Sequence, residues 1–330
     1  TLQAEDEISG ICTAIGAAYA GNFAVTTTSG PGLSLKSEAI GLAVMTELPL
    51  VIVDVQRGGP STGLPTKPEQ ADLNQALWGR NGECPLVVMA ASTPSNCFHY
   101  AFWAGKIAME HMTPVLLLSD GFIANGSEPW RIPSMKEYPK ITPPIVTRAP
   151  EGGFQPYARD EKRLARMWAL PGTKGVEHRV GGLEKDSLSG AVSHDPENHE
   201  RMVGLRAAKV ARVQDFIPKQ EVVGGRRGEL LVVGWGGTYG HLLTAVRELQ
   251  RRGEQVSLCH FNFIHPLPRG VREIFSRFRR IVVCELNSGQ FAGYLRQQFQ
   301  EFEFLQYNKI QGLPFTVTEL GDEFARLLKS

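Results

Sequence analysis

The sequence lacks the cysteine spacing, the long apolar segments and the net charge that mark several classes of protein. Its five cysteines are scattered, and no two of them form a Cys-x-x-Cys pair. This arrangement gives no zinc or iron–sulfur ligand set within the chain and suits a reducing compartment, so we expect a cytoplasmic protein. No apolar run reaches the ~20 residues that cross a bilayer, and no signal peptide is evident.

Positive and negative charges nearly cancel. The formal net charge of +1 argues against a nucleic acid or a membrane surface as a partner. Five arginines between residues 269 and 280 are interpreted as one solvated helical face. The apolar fraction of 42% is ordinary for a globular protein, and 330 residues are enough for two domains.

Nucleotide-binding and metal-binding motifs are absent or incomplete. No Gly-x-x-x-x-Gly-Lys-Ser/Thr loop occurs, which argues against a P-loop NTPase. The glycines of segment 234–240 resemble a dinucleotide fingerprint, but the third comes one position late and no acidic residue ends the next strand. A structural turn is therefore the preferred interpretation. Segment 194–199 carries two histidines around a proline, which favours a solvated loop over a helical metal site.

Residues 1 to about 140 alternate between apolar strands and helices. This pattern predicts a mainly parallel sheet with helices on both faces. Asp6 is expected to cap the first helix. Residues 29–32 predict a tight turn, with the next helix beginning at Ser34.

The middle and the end of the chain differ in character. Seven prolines between residues 133 and 171 break regular structure, and the following stretch is rich in glycine and charge. We expect a connector over residues 141–220 that wraps the domains and covers a site, closed by a charged helix near residues 200–216. A second, smaller α/β unit is expected over residues 221–330.

The most informative segment is residues 56–66, which follow the apolar run at residues 50–55. Ligands of open α/β sheets lie beyond the carboxyl ends of the strands. Arg57 stands at such an end, and a guanidinium is shaped to bind a carboxylate or a phosphate. An isolated Arg-Gly-Gly would be interpreted as a surface turn. The two prolines and three glycines of this loop favour a binding site.

For two other segments, the residues alone leave more than one interpretation open. The acidic segment 3–7 precedes a helix, where acids usually serve as caps and dipole partners. Glu5 also lies between an apparent strand end and a helix, where catalytic groups of α/β sheets are often placed. The amides of the turn at Ser29 and Gly30 could cradle an anion, or the turn could simply reverse the chain.

Four segments together resemble one family in order and spacing: residues 3–7, 26–32, 54–66 and 118–121. They are similar to the α subunit of 2-oxoacid:ferredoxin oxidoreductases, especially of the 2-oxoglutarate type, and the similarity continues at residues 175–179 and 285–290. The resemblance implies an α/β fold. A thiamine-diphosphate pyrimidine-binding domain would occupy residues 1–140, with its first strand missing, and a transketolase C-terminal-like domain residues 221–330.

The resemblance also implies roles for individual residues. Glu5 matches the catalytic, cofactor-binding glutamate, whose shared proton favours the reactive tautomer of the aminopyrimidine ring. Arg57 matches the group that binds the substrate carboxylate, and Thr66 a threonine of the same oxoacid site. Ser29 and Gly30 match the turn near the pyrimidine ring. No metal ligand is expected in this chain.

The implied reaction is oxidative decarboxylation of a 2-oxoacid, with 2-oxoglutarate preferred, and CoA as co-substrate. Electrons would pass through iron–sulfur clusters to ferredoxin. Thiamine diphosphate would be shared with a β subunit, which would also hold Mg²⁺ and the [4Fe-4S] cluster, because the Gly-Asp-Gly…Asn pattern is absent here. A γ domain or subunit and a Tyr-Pro-Ile-Thr-Pro motif would belong upstream.

Two alternatives remain at this point. A transketolase or a 2-oxoacid dehydrogenase β subunit shares the two-domain layout, but the Arg57 loop disfavours it. A non-catalytic scaffold subunit is the second alternative. The presence of both Glu5 and Arg57 argues against it.

Overall fold

A computed structural model describes residues 1–329 and contains two main β-sheets. The first region comprises α1 (Glu7–Tyr19), β1 (Val25–Thr28), α2 (Gly30–Leu35), α3 (Ser37–Thr46), β2 (Leu50–Gln56), α4 (Leu73–Trp78), β3 (Val87–Ala90), α5 (Asn96–His111), β4 (Pro114–Asp120) and α6 (Gly121–Asn125). Then come β5 (Ile145–Val146), β6 (Trp168–Ala169) and α7 (Pro196–Arg212). The last region comprises β7 (Gly228–Trp235), α8 (Tyr239–Arg251), β8 (Val256–Phe261), β9 (Phe263–His265), α9 (Val271–Phe275), β10 (Phe278–Glu285), α10 (Gln290–Gln298), β11 (Leu305–Asn308) and α11 (Val317–Lys329).

The first sheet has the order β1-β2-β4-β3-β9, and its first four strands are parallel. Side chains alternate between its faces, so Leu50 and Ile52 join the core beneath α1, α3 and α4. Val51 points the other way, against α5 and the end of α7. Both faces are thus covered by helices, which confirms the predicted doubly wound, mainly parallel architecture.

The second sheet is parallel throughout, in the order β11-β10-β7-β8. Helices α8 and α11 cover one of its faces. Its other face, which includes Val233 and Phe261, belongs to the same apolar core as Leu50 and Ile52 of the first sheet. The two sheets therefore share one core. The domain boundaries near residues 140 and 220 stay a prediction.

Strand β9 was not anticipated from the sequence. It is only three residues long, follows β8 directly, and pairs antiparallel with β3 of the first sheet. Val88 faces His265 in this pairing, and Met89 faces Phe263. A segment of the C-terminal region thus extends the N-terminal sheet.

The predicted turn at residues 29–32 is wrong. Helix α2 begins at Gly30, and Pro31 occupies its first turn, where a missing N–H costs nothing. The chain then starts a separate helix at Ser37 rather than at Ser34. The predicted cap of α1 is confirmed, since Asp6 accepts a hydrogen bond from the Ser9 amide at 2.6 Å. Residues 1–4 form no strand, so the strand end expected before Glu5 is not there.

Two further local predictions are wrong. The arginines of residues 269–280 do not share a helical face, because they are divided between a loop, α9 and β10. Segment 194–199 is not a solvated loop, because Pro196 is the first residue of α7, where proline is tolerated. His199 therefore lies in the helix, and its Nδ1 is 2.7 Å from the Glu184 carboxylate.

No helix among residues 1–329 is long and apolar enough to cross a membrane.

A buried ionic cluster holds the connector and α7 against the first region. Glu47 ends α3 in a left-handed conformation (φ 51°) and is 2% exposed. Its carboxylate pairs with Lys209 of α7 and with Arg159 of the connector. Arg166 donates from Nε to the carbonyl of Glu47 at 3.3 Å. This part of the connector thus packs where α3 ends and β2 begins, at the end of the sheet opposite Arg57. That the connector covers a site stays a prediction.

The ionised Glu47 stabilises the fold, and this stabilisation is lost in acid. Burial alone would raise its pKa, but the neighbouring Lys209 and Arg159 charges lower it to about 2, below the ordinary value of 4.5. Since the folded pKa is the lower one, the contribution is fully present above about pH 4.5 and is lost as the pH falls toward 2.

We expect Glu47→Gln to lower the free energy of unfolding at pH 7 by about 3–5 kcal/mol, because Lys209 is left buried without its counter-charge. Denaturant unfolding between pH 7 and pH 3 measures this, and the difference from wild type should shrink toward the acid end. Glu200→Gln, an exposed change on α7, is the matched control. Equal stability of the two variants at pH 7 would contradict the assignment.

Candidate active site

The carboxyl ends of β1, β2 and β4 form one polar edge of the first sheet. In the parallel register Thr28 lies beside Asp54, and Gln56 lies beside Asp120. The β2 side chains that face the shared core are apolar at Leu50 and Ile52 but polar at Asp54 and Gln56. The row of side chains on β2 therefore changes from apolar to polar at this end of the sheet, where ligands of parallel sheets bind.

The loop after β2 is closed by its own backbone. The Gly58 amide donates to Lys67 O at 3.0 Å, and the Leu64 amide donates back to Gly58 O at 2.9 Å. Gly63 adopts φ +44°, and a Cβ there would overlap the Gly58 carbonyl. Only glycine fits at that position. The loop that carries Arg57 is therefore a defined structure rather than a loose turn.

Arg57 and Thr66 lie at the two ends of this loop. Arg57 is half-buried, and its Nε is buried without a hydrogen-bond partner among residues 1–329. A buried donor without a partner costs free energy, so an anionic ligand would satisfy it. Thr66 is exposed and has φ +65°, a strained conformation for a β-branched residue of the kind that clusters at functional sites.

Two carboxyl groups lie beneath the loop. Asp54 is fully buried, and the Asp72 carboxyl lies next to it. Burial raises the pKa of Asp54 well above its usual range, and the negative charge of Asp72 raises it further. Burial also raises the pKa of Asp72, to about 6, while the bond to Asp54 and the charge of Arg57 oppose that rise. A Cβ on Gly30 would lie 2.6 Å from Asp72 Oδ1, so this carboxyl packs directly on the start of α2.

Gln70 attaches this site to the second sheet. Its amide donates to Leu286 O at 3.0 Å, and its Oε1 accepts from the Leu286 amide at 2.9 Å. Its Nε2 donates to Trp235 O at 2.7 Å, and its carbonyl accepts from Asn287 Nδ2 at 2.8 Å. Trp235 ends β7, and Leu286 follows β10 directly. The segment that carries Asp72 is thus fixed by the carboxyl edge of the second sheet.

Glu5 lies on the other side of α2. It is exposed at the start of α1 and lines an open cavity of about 760 Å³ together with Thr26, Thr27 and Lys36. Lys36 Nζ donates to Glu7 O at 2.7 Å, which fixes the start of α1 beside α2 and α3. A carboxylate beside a cavity of this size has the chemistry that a cofactor aminopyrimidine ring requires.

The structure thus groups the predicted site residues in two sets. Gly30 packs on Asp72, whose carboxyl also feels the charge of Arg57, and Ser29 directly precedes Gly30. Thr66 lies at the far end of the Arg57 loop. Glu5 lines the separate cavity near β1, to which none of these four contributes. In the part of the chain that is described, no group of three or more His, Cys, Asp and Glu side chains is arranged to hold a metal ion.

Sequence reasoning missed Asp54, Asp72 and Gln70 as site residues. A weak signal existed for Asp54, since an acid within an apolar strand is costly unless something compensates for it. No signal marked Asp72 or Gln70. Their partners lie 18 and 216 positions away, in Asp54 and Leu286, and only the fold brings them together.

Comparison with known proteins identifies the fold family. Residues 1–194 match the family "Pyruvate flavodoxin/ferredoxin oxidoreductase, thiamine diP-bdg". The chain is 52% identical over 322 residues to 2-oxoglutarate oxidoreductase subunit KorA of Mycobacterium tuberculosis, covering 97% of this chain and 48% of the relative. It is 34% identical to 2-oxoglutarate synthase subunit KorA of Methanothermobacter marburgensis, covering 88% of this chain and 76% of the relative.

Solved structures agree with this assignment. The 2-oxoglutarate:ferredoxin oxidoreductase of Magnetococcus marinus, solved with 2-oxoglutarate, coenzyme A and succinyl-CoA bound, superposes with a TM-score of 0.91 at 34% identity. The match covers 99% of this chain and 57% of that one. A split-gene transketolase matches at a TM-score of 0.54 and 12% identity, over 98% of this chain and 81% of its own, which shows a shared fold alone.

The chain spans about half the length of the Mycobacterium relative and of the Magnetococcus structure that it matches. Both matches nevertheless run over nearly all of this chain, and the resemblance found in the sequence motifs is confirmed. The chain belongs to the family of 2-oxoacid:ferredoxin oxidoreductase α subunits and carries their thiamine diphosphate-binding region.

Proposed function

We propose that this chain is the α-subunit part of a 2-oxoglutarate:ferredoxin oxidoreductase. The enzyme would decarboxylate 2-oxoglutarate oxidatively with CoA, giving succinyl-CoA and CO₂ and passing electrons to ferredoxin. The observation that carries the proposal is Arg57, a half-buried guanidinium at the carboxyl edge of the sheet whose Nε has no partner within residues 1–329. The Magnetococcus neighbour, which holds 2-oxoglutarate, coenzyme A and succinyl-CoA, favours this substrate.

In this proposal each site residue has one task. Arg57 binds and orients a substrate carboxylate by charge-assisted hydrogen bonds. Thr66, held in its strained conformation at the end of the same loop, lines the oxoacid site. Ser29 and Gly30 begin α2 and support the aminopyrimidine end of the cofactor. Glu5 holds and returns a proton at its carboxylate oxygen as that ring changes tautomer.

The cofactor and the partners follow from the family. Thiamine diphosphate supplies, when bound, a carbon nucleophile and an electron sink. This chain would bind the aminopyrimidine half, and a β subunit would bind the diphosphate with Mg²⁺ and carry the [4Fe-4S] cluster. A γ domain or subunit and ferredoxin complete the proposed assembly, which would work in the cytoplasm.

Glu5→Gln in the assembled enzyme keeps the side-chain size but removes the exchangeable carboxyl proton. We expect kcat to fall by ~10²–10⁴-fold, the usual contribution of acid–base catalysis. Steady-state turnover of 2-oxoglutarate with a viologen acceptor measures it. Glu38→Gln, an exposed acid in the first turn of α3, is the matched control and should leave turnover unchanged. Equal turnover in the two variants would return Glu5 to the role of a helix-end acid.

Arg57→Lys keeps the charge but loses the fork that binds a carboxylate in bidentate fashion. We expect the apparent KM for 2-oxoglutarate to rise by about 10-fold or more, which corresponds to roughly 1.4 kcal/mol of lost binding. Thiamine diphosphate affinity, titrated separately, should change little. Arg251→Lys, at the exposed end of α8, controls for the substitution itself. Unchanged oxoacid kinetics in Arg57→Lys would remove the proposed substrate contact.

A further inference from the structure

The Asp54–Asp72 pair has no role in the proposed chemistry, although it lies directly under the loop of residues 56–66 that carries Arg57. Neither oxygen of Asp54 accepts a hydrogen bond from an N–H or hydroxyl group of residues 1–329. Asp72 Oδ2 is also buried and accepts no such bond from these residues. The carboxyl groups face each other instead. Two ionised carboxylates side by side in a buried site would repel, so such a pair is stable only when it retains a proton.

Asp72 occupies the N-cap position of α4, but its side chain does not cap the helix. It is the N-cap residue of α4, where an aspartate normally accepts hydrogen bonds from the first amides of the helix, yet its side chain makes no such bond. The Asp72 carboxyl is turned toward Asp54 and packs on Gly30. Its Oδ1 lies 2.6 Å from the position that a Cβ on Gly30 would take. The orientation therefore follows from contacts with the site and not from capping.

The position of Asp72 is fixed from two sides. Its amide donates to Gln56 Oε1 at 3.2 Å, and Gln56 Nε2 donates to Ser119 O on β4 at 3.1 Å. The following residue, Leu73, begins α4, while Gln70 two positions earlier is bound to the second sheet. Asp72 cannot move away from Arg57 without breaking these contacts. Its carboxyl group, charged or neutral, therefore stays close to the guanidinium.

We propose that Asp54 and Asp72 share one proton and act as a positioning pair, in which the charge on Asp72 sets how strongly Arg57 attracts the substrate carboxylate. This inference rests on the proposed function, since it assigns Arg57 an oxoacid ligand. Asp54 holds the proton, Asp72 carries the charge that changes, and neither touches the reacting atoms. Ionised Asp72 competes with the substrate for the guanidinium, whereas neutral Asp72 leaves it free.

The direction of the pH effect follows from the groups around Asp72. Burial raises its pKa to about 6, and the charge of Glu69 adds to the rise, while Asp54 and Arg57 oppose it. Below pH 6 both carboxyls are protonated and the pair is neutral, whereas above pH 6 the two share one proton and carry one negative charge. The KM for 2-oxoglutarate should therefore rise by about 3- to 10-fold between pH 5.5 and 7.5, because a charge beside Arg57 weakens substrate binding.

The test compares KM at pH 5.5 and pH 7.5 for the assembled full-length enzyme, with 2-oxoglutarate and a viologen acceptor. Asp72→Asn removes the titrating charge, so KM should become independent of pH over this range. Asp54→Asn replaces the shared proton with a permanent N–H donor, which favours ionised Asp72. Its KM should then stay at the high value even at pH 5.5. Asp322→Asn, exposed on α11, should keep the wild-type change.

The outcomes separate this inference from the proposed function. Wild-type turnover of 2-oxoglutarate with an Arg57-dependent KM, but with no change in KM between pH 5.5 and 7.5, overturns the positioning pair alone. The positioning pair is also overturned if Asp72→Asn retains the wild-type change in KM. Failure of the wild type to use 2-oxoglutarate overturns both. If thermal denaturation shows that Asp72→Asn is unfolded, the dependence of KM on pH in the wild type and the KM of Asp54→Asn at pH 5.5 still test the proposal.

Discussion

The geometry of the site depends on Gln70, which connects the two sheets. All four of its polar groups bond to the second sheet region, two of them to Leu286 alone. Because buried polar groups are costly when unpaired, these bonds hold the chain between Arg57 and α4 in one position. Asp120 adds a second contact, since it caps α6 and its carboxyl packs against Gly237, too close for any side chain at that position. The loop of residues 56–66 extends from the first sheet, but the chain that follows it is held by the second.

The site combines two opposed electrostatic environments along a single strand. Asp54 lies where the apolar row of β2 ends and is deeply buried, whereas Arg57, three residues later, is half-buried in the loop that follows β2. Burial favours the protonated form of the carboxyls and leaves the guanidinium charged. Below pH 6 this end of the sheet therefore presents a net positive charge, which the ionised Asp72 offsets at higher pH. At the opposite end of the sheet, the buried Glu47 carboxylate is instead paired with Lys209 and Arg159, and this cluster serves stability.

Local patterns in the sequence predicted the elements on which the site is built. The apolar runs indicated β2 and β4, and the parallel layout put Arg57 at the functional edge. Relations between distant residues could not be predicted, because Asp72 meets Asp54 and Gln70 meets Leu286 only through the fold. Strand β9 was missed because three residues carry too little periodicity to be recognised. The start of α2 was missed because Gly30 and Pro31 were interpreted as a turn, although proline also suits a first helical turn.

The central claim is that Arg57 binds the oxoacid carboxylate within a frame set by Gln70 and Asp72. The most direct measurement is a crystal structure of the assembled enzyme with 2-oxoglutarate bound. The account predicts a substrate carboxylate paired with the Arg57 guanidinium, while Gln70 keeps its bonds to Trp235 and Leu286. A substrate bound elsewhere, with Arg57 in contact with protein groups only, would contradict it.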